Sequence, residues 1–281
     1  MAFEKFECEK LKVAVIGGTG MSKLENFEKT EEKSVTTPFG MPSSNLICGK
    51  LGDLEVVFLF RHGLKHNIMP TDVNYRANIY ALKAEGCTHV VATTACGSLN
   101  EVYAPGQLVL LTQFIDRTTK RQQTFFDGSL DDFQGVCHIP MAHPFNQCLS
   151  KIIMSACENC SVPYHSSGTV VTIEGPRFSS LAESKLFRSW GADVINMTTV
   201  PEVVLANEAG IIYSAIAMVT DYDCWKEDGE ATVSVDAVMQ TMRENSSKTA
   251  KVITYLSKSL ASVDWSEETK LVSQRAFSSV M

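Results

Sequence analysis

Two carboxylates stand two positions apart where an apolar segment ends. Asp221 and Asp223 lie in MVTDYDCWKED, which closes the apolar run IIYSAIAMVT. If the strand geometry persists, residues at i and i+2 project to the same side, so both side chains can address one ligand. Like charges held close together in a partly desolvated site push one pKa up, which leaves one carboxyl as a proton donor and the other as an acceptor. The spacing therefore indicates acid and base chemistry at the end of this strand.

Several ligands could use such a carboxylate pair. The two positions are too near each other to flank a glycosidic bond as glycosidase carboxylates usually do, whereas a bound cation and a solvated loop remain alternatives. A donor beside an acceptor also suits one edge of adenine, whose imidazole-ring nitrogen accepts a proton and whose six-amino group donates one. Protonation of that ring nitrogen turns adenine into a good leaving group.

Four other predicted strand ends carry glycines and hydrogen-bond donors. They are GGTG with Thr19, RHG with Arg61 and His62, TTACGS with Thr94, and NMTT with Thr198. A glycine turn with free N–H groups can form an anion nest, a guanidinium grips phosphate oxygens bidentately, and a helix N-terminus attracts anions. Each motif also has an ordinary structural role, as a turn, a surface arginine or an N-cap. Taken together, the four ends predict an oxyanion site, most simply for phosphate.

The elements that must position these residues alternate along the chain. Predicted strands are KVAVIGG, EVVFLF, HVVATTA, QLVLLTQF, TVVTIE, DVINM and IIYSAIAMV. Helical periodicity marks NYRANIYALKAEG, PFNQCLSKIIMSACENC, SSLAESKLFRSWG, TVPEVVLANEAG and SVDAVMQTMRENSSKTAKVITYLSKSL. This alternation predicts one α/β domain over residues 1–281 around a parallel or mixed sheet, with ligands beyond the carboxyl ends of the strands. We expect residues 1–10 and the tail after about residue 265 to be less ordered.

Composition narrows the function classes. The chain has 281 residues, is 44% hydrophobic and carries a net charge of −7 with no Lys/Arg-rich run, so it lacks the electrostatic footprint of a nucleic-acid binder. The longest apolar run is about half of what a membrane span needs, and the first residues do not resemble a signal peptide. We therefore expect a soluble cytoplasmic protein that does not bind membranes, with the nucleus as a second location.

Other common site chemistries find little support. GGTG lacks the third glycine of a dinucleotide fingerprint and the GK[ST] of a P-loop, and the six histidines are too dispersed to predict a metal site. Cys96 lacks the G-x-S-x-G frame of a nucleophile turn. The nine cysteines, including the Cys157 and Cys160 pair, are expected to be reduced and structural.

The motifs GGTG, RHG, TTACGSL, VTIEGPRFSS, INMTTVPEVVLA and VTDYDCWKE together resemble a known family. They are similar to those of the eukaryotic type of 5′-methylthioadenosine phosphorylases, within the trimeric purine nucleoside phosphorylases. The resemblance runs from about Val13 to Val238. It implies a single α/β domain with a mixed central sheet approaching a barrel, and a homotrimer. It also implies phosphorolysis of methylthioadenosine to adenine and 5-methylthioribose 1-phosphate, in purine and methionine salvage, with inorganic phosphate as co-substrate and no cofactor or metal.

The same resemblance assigns roles to individual residues. Phosphate is expected at Thr19, Arg61, His62, Thr94, Ala95 and Thr198, with ribose against Met197 and the purine face against Phe178. Asp221 is matched to protonation of the ring nitrogen and Asp223 to the six-amino group. Related enzymes for 6-oxopurines have Asn at the position of Asp221, so the Asp favours an aminopurine. The methylthio group is expected on Val235, Val238 and Met239, with His138 reaching in from a neighbouring subunit.

Two other functions remain open at this point. One is a phosphorylase of broader specificity that accepts adenosine or 6-oxopurine nucleosides, and the other is a non-catalytic nucleotide-binding protein of the same fold. The apolar residues at positions 235, 238 and 239 favour a thioether pocket. The loop KEDGEATVSV is one residue longer than the family's usual form, which bears directly on those three positions.

Overall fold

The computed structural model of the protein describes residues 3–6, 10–18, 24–226 and 235–281. Its strands are β1 Lys12–Gly17, β2 Phe27–Lys33, β3 Leu46–Leu51, β4 Leu54–Phe60, β5 His89–Ser98, β6 Leu108–Leu110, β7 Gln113–Arg117, β8 Tyr164–His165, β9 Thr169–Ile173, β10 Val194–Asn196 and β11 Ile212–Asp221. Its α-helices are α1 Tyr75–Ala84, α2 Gln147–Asn159, α3 Leu181–Ser189, α4 Thr199–Glu208, α5 Val235–Ala261 and α6 Ser266–Ser278. The predicted alternation of strands and helices is confirmed, and the protein has the predicted α/β fold with a mixed central sheet.

The sheet nearly closes on itself around β5. One path of hydrogen-bonded strands runs β2-β3-β4-β1-β5-β10-β9-β7, while β11 leaves the path to pair with both β5 and β6. The strands β6 and β7 are separated only by Leu111 and Thr112, whose N–H groups donate to Ala215 and Gly168. Strand pairing runs from β5 through β10 and β9 to β7, and from β5 through β11 to β6. Because β6 and β7 are joined directly along the chain, these strands form a ring, which is the barrel-like arrangement that the resemblance implied.

Local sequence explains where several helices begin. The Asn74 side chain accepts from the N–H of Ala77 at the start of α1, and Asn146 does the same for Leu149 at the start of α2. Ser180 forms a capping box with Glu183 at the start of α3. Such caps satisfy N–H groups that the first turn of a helix leaves without partners.

The structure corrects the predicted elements in three places. The single predicted strand QLVLLTQF is two strands, because β6 pairs with β11 whereas β7 pairs with β9. The strands β2, β3 and β8 were missed: β2 is the charged and largely exposed sequence FEKTEEK, and β8 has only two residues. The tail after residue 265 forms α6, which buries Val272 and Ala276 although its sequence is mostly polar.

Two apolar layers cover the faces of the sheet. Ile16 and Leu59 pack with Leu82 of α1 on one face, and Val15 and Ile216 pack with α2 and α5 on the other. The core thus fixes the sheet and leaves its carboxyl ends free to carry polar groups. No helix in the described part of the chain is both long enough and apolar enough to cross a membrane.

Candidate active site

One cavity of about 440 Å³ lies beyond the carboxyl ends of the central strands. Gly18 follows β1, Arg61 follows β4, and residues 93–97 of β5 form its floor. It gathers the predicted residues Arg61, His62, Thr94, Ala95, Phe178, Met197, Thr198, Asp221, Asp223, Val238 and Met239. Side chains from distant motifs therefore share one site, as the strand-end rule predicts.

Three other residues were predicted to belong to the site: Thr19, Val235 and His138. Thr19 lies outside the described residues, and so does the side chain of Val235. His138 lies between β7 and α2, where its N–H donates to the carbonyl of Ser279 at 2.8 Å. Its contribution to a neighbouring subunit's site stays a prediction.

Neutral hydroxyls form one end of the cavity. The hydroxyls of Thr94 and Thr198 are 3.3 Å apart, and the Asn196 amide donates to Thr94 at 3.1 Å. Thr198 precedes α4 but makes no capping hydrogen bond, because Val200 departs from helical geometry at φ −102° and ψ 131°. The Thr198 hydroxyl is thus not used as the plain N-cap that the sequence allowed, and it faces Thr94 instead.

Arg61 lies beside these hydroxyls, but its fork is already occupied. Its Nε and one terminal nitrogen donate to the two carboxylate oxygens of Glu202 at 2.6 and 2.7 Å, and the other terminal nitrogen donates to the Thr93 carbonyl. Both side chains are buried, and Tyr213 also donates to Glu202. The bidentate grip of Arg61 is therefore directed to Glu202 rather than to a phosphate, which can receive only the remaining N–H groups.

His62 is a neutral imidazole in this setting. Burial and the neighbouring Arg61 charge lower the pKa of His62 to about 4. Its Nδ1 lies 2.9 Å from the carbonyl of Ile68, which can only accept, so Nδ1 carries the proton. The other ring nitrogen, Nε2, is then an acceptor, which suits the hydroxyl of a monoprotonated phosphate.

The two carboxylates meet by a different geometry from the one predicted. The strand geometry does not persist, because β11 ends at Asp221 and Asp223 adopts a left-handed conformation with φ +50°. The N–H of Asp223 donates to Asp221 Oδ1 at 2.7 Å, so a turn closed by the first aspartate brings the second to the cavity. Gly97 provides the space, since a Cβ there would lie 3.0 Å from Asp221 Oδ1.

Burial makes both carboxyls weak acids. Burial raises the pKa of Asp221. The hydrogen bonds from the Thr220 hydroxyl and the Asp223 N–H lower it, but by less. Burial also raises the pKa of Asp223 to about 6, and the Asp221 charge adds to the effect. Asp223 Oδ2 is buried and makes no hydrogen bond of good geometry, although the nearby Ser184 hydroxyl acts against the rise in the pKa of Asp223. The pair can therefore hold a proton near neutral pH and offers an unused acceptor to a ligand N–H.

Apolar side chains cover the rest of the cavity. Phe178 is 46% exposed at one edge. Met197 packs against Gly175, where a Cβ would come within 2.6 Å of its sulfur, so that glycine sets the position of Met197. Sequence reasoning missed the lining residues Ile68, Met218 and Met242. Met218 and Met242 are apolar residues of β11 and α5, which also build the core, and Ile68 is an apolar loop residue, so the sequence pattern does not distinguish them.

One buried and one partly buried ion pair that support the site were also missed. One is Arg61 with Glu202, and the other is Arg121 with Glu174. Arg121 also donates to the carbonyls of Met197 and Val200 at 2.6 and 2.8 Å, which fixes the turn that precedes α4. The only sequence indication is a charged residue inside an apolar helix, as in VPEVVLA.

In the described residues, no group of three or more His, Cys, Asp or Glu side chains could hold a metal ion.

Known proteins resemble this chain in sequence and in fold. The family described as the Phosphorylase superfamily matches residues 12–258. Proteins named S-methyl-5′-thioadenosine phosphorylase are similar in sequence: one from Xenopus tropicalis is 55% identical over 92% of this chain and 92% of its own length. One from Danio rerio is 54% identical over 96% of each chain. A crystal structure of a mutant adenosine/methylthioadenosine phosphorylase from Schistosoma mansoni with methylthioadenosine matches with TM-score 0.91 and 42% identity, covering 97% of this chain and 99% of that one.

Proposed function

The chain belongs to the phosphorylase superfamily and, within it, to the S-methyl-5′-thioadenosine phosphorylases, and we propose that it catalyses phosphorolysis of 5′-methylthioadenosine to adenine and 5-methylthioribose 1-phosphate. One observation of the site carries the proposal. The Asp221 and Asp223 pair, raised in pKa by burial, shares a cavity with the facing hydroxyls of Thr94 and Thr198. A proton donor for a base and neutral donors for an oxyanion are thus held on two sides of the space for a sugar.

The phosphate end would bind the nucleophile. The hydroxyls of Thr94 and Thr198 donate to phosphate oxygens, the spare N–H groups of Arg61 donate as well, and His62 Nε2 accepts a hydrogen bond from the phosphate hydroxyl. The Thr19 hydroxyl and the Ala95 backbone belong to the same proposed set. Since Glu202 already neutralises Arg61, orientation by fixed donors contributes more here than net charge does.

The base end would activate the leaving group. A protonated Asp221 gives its proton to the ring nitrogen of adenine while the bond from the sugar carbon to the base breaks and the base keeps the electron pair. The unpartnered Oδ2 of Asp223 accepts from the six-amino group. Phosphate oxygen then bonds to the sugar carbon, so adenine departs neutral and no charged base accumulates.

The wall between these ends would select the sugar. Met197 lies against ribose and Phe178 against the purine, while Val235, Val238 and Met239 meet the methylthio group. His138 of a neighbouring subunit completes this pocket in a homotrimer. We place the reaction in purine and methionine salvage, in the cytoplasm, with inorganic phosphate as the only co-substrate and with no nucleic-acid or membrane partner.

A phosphate-dependence assay tests the function. Purified protein should release adenine from methylthioadenosine only when phosphate is present, and it should release less base from adenosine or inosine. Equal rates on all three nucleosides would favour the broader phosphorylase. No adenine release in the presence of phosphate would rule out the enzyme and leave the nucleotide-binding alternative.

The facing hydroxyls give a specific expectation for phosphate binding. Thr94→Val should raise the KM for phosphate by about 10- to 100-fold, because a hydrogen bond to a charged group contributes about 1.5 to 3 kcal/mol. Adenine affinity should not change. Initial rates at varied phosphate concentrations and a binding isotherm for adenine measure the two effects. Thr112→Val is the matched control, since the Thr112 hydroxyl bonds to the Gly168 carbonyl away from the cavity. An unchanged KM for phosphate in the Thr94 variant would contradict its role.

A further inference from the structure

The hydroxyl of Thr220 lies between two oxygen atoms. Its Oγ1 is 2.7 Å from Asp221 Oδ2 and 3.1 Å from the carbonyl oxygen of Cys96. A hydroxyl has one proton, so Thr220 can donate to only one of these oxygens at a time. The Thr220 side chain is buried and lies on β11 directly before Asp221, which leaves it little freedom to move elsewhere.

The direction of this hydrogen bond must follow the charge of Asp221. When Asp221 is ionised, Oδ2 can only accept, and Thr220 donates to it. When Oδ2 carries a proton, the carboxyl donates to Thr220 Oγ1, and the Thr220 proton is free to point at the Cys96 carbonyl. Both arrangements are complete with no movement of heavy atoms, because the Cys96 carbonyl is an acceptor in both.

We propose that Thr220 is a positioning residue for the carboxyl that protonates the base, and that its hydroxyl reverses its hydrogen bond as Asp221 loses its proton. This inference rests on the proposed function and deepens it. When adenine is bound, the proton on Asp221 Oδ2 points at the ring nitrogen instead of at Thr220 Oγ1 and moves to that nitrogen, and the electron pair of the broken sugar bond stays on the base. Thr220 rotates from the Cys96 carbonyl to Asp221 Oδ2 and stabilises the new carboxylate. Asp221 recovers its proton from solvent after the products leave.

The groups around Asp221 leave the Thr220 hydroxyl as the donor to its second carboxylate oxygen. Asp221 Oδ1 already accepts the N–H of Asp223, so Thr220 is the donor to the second oxygen. The other titratable groups nearby are Asp223 on the turn, Cys96 on β5 and, beyond Asp223, Glu183 on α3. Burial raises the pKa of the Cys96 thiol far above its usual range, so Cys96 is neutral, and burial likewise opposes ionisation of Asp221. A neutral donor that appears only when the charge forms is therefore an effective stabiliser.

Two pairs of variants test the proposal. Thr220→Val keeps the shape and removes the hydroxyl, and Thr220→Ala removes it with less steric risk if the valine variant is unstable. Thr220→Ser keeps the hydroxyl. Thr249→Val is the matched control, because the Thr249 hydroxyl is buried without a hydrogen-bond partner and lies outside the cavity. The readout is adenine release from methylthioadenosine with saturating phosphate, followed across pH.

We expect the valine and alanine variants to lose roughly 10- to 100-fold in kcat, because they lose one hydrogen bond to a forming charge. Their alkaline limb of kcat/KM should move to higher pH, since the ionised form of Asp221 has lost a donor and its pKa rises. The serine variant should return to the wild-type rate and profile, and the Thr249 variant should match both.

The two levels of the proposal can fail separately. Wild-type protein that releases no adenine overturns the proposed function and this inference with it. If the wild-type protein is active and the valine and alanine variants keep its kcat and its alkaline limb of kcat/KM, the inference alone is overturned. A serine variant as slow as the valine variant also overturns it, because packing rather than the hydroxyl would then be responsible.

Discussion

Replacing Asp221 with Asn should reduce adenine release from methylthioadenosine by about 10²- to 10⁴-fold, the usual range for loss of a general acid. The amide cannot give a proton to the ring nitrogen, so the base must depart without protonation. Its fold should be retained, because the amide oxygen can accept from the N–H of Asp223 and the amide nitrogen can donate to the Thr220 hydroxyl. Phosphorolysis rates with saturating phosphate measure the effect, and near-ultraviolet circular dichroism checks the fold.

The same variant should gain activity on inosine. A 6-oxopurine presents a carbonyl next to the ring nitrogen that Asp221 addresses, and an amide at position 221 has N–H donors for that nitrogen and the adjacent carbonyl, whereas a carboxylate has none. Asp223→Asn is the companion variant, since it leaves Asp221 intact and should weaken adenine binding more than it slows a bound substrate. If Asp221→Asn keeps the wild-type ratio of adenosine to inosine rates, base preference is set elsewhere in the cavity.

Removing the charge of Glu202 should have the largest effect on stability. Glu202→Gln leaves the buried guanidinium of Arg61 without its counter-charge, and breaking a buried pair in this way costs about 3 to 5 kcal/mol. Inorganic phosphate should restore part of the loss, because a ligand that binds only the folded state stabilises it and phosphate supplies negative charge beside Arg61. Urea unfolding with and without phosphate measures both effects.

An exposed pair provides the control for Glu202. Lys29 and Glu32 are 2.6 Å apart with side chains that are half and one-third exposed, so Glu32→Gln should leave the urea midpoint unchanged. A Glu202→Gln protein as stable as wild type would mean that Arg61 finds another acceptor in the cavity. A lower stability that phosphate does not improve would place the anion away from Arg61.

The sequence allowed the location of the site to be predicted because the rule for strand ends is general. Each of Arg61, Thr198 and Asp221 could be placed at a strand or helix end from local pattern alone, and the sheet then brought them together. Thr94 was also predicted to follow a strand, but β5 continues to Ser98 and Thr94 lies inside it. What could not be predicted are contacts between side chains that are distant in sequence. Arg61 and Glu202 are 141 positions apart, and nothing local indicates that the guanidinium fork is already filled.

The geometry of the carboxylates failed for a different reason. Alternation along a strand was a sound expectation, but the strand ends at Asp221, and the turn that follows is stabilised by the first carboxylate itself. The helix α6 was likewise not predicted, because its sequence is mostly polar and only Val272 and Ala276 are buried. In both places tertiary contacts and side-chain to backbone bonds override the local pattern.

The long strand β5 sets the distance between the two ends of the cavity. Thr94 stands at the oxyanion end of the cavity and Gly97 beside the carboxylates, three residues further along the same strand. At about 3.3 Å per residue, the backbone itself fixes a span of roughly 10 Å between the two ends. One inserted or deleted residue would change that span by a whole step and turn every later side chain to the opposite face. Variation among related proteins should therefore spare this spacing and be concentrated in α5, where no strand sets the distance.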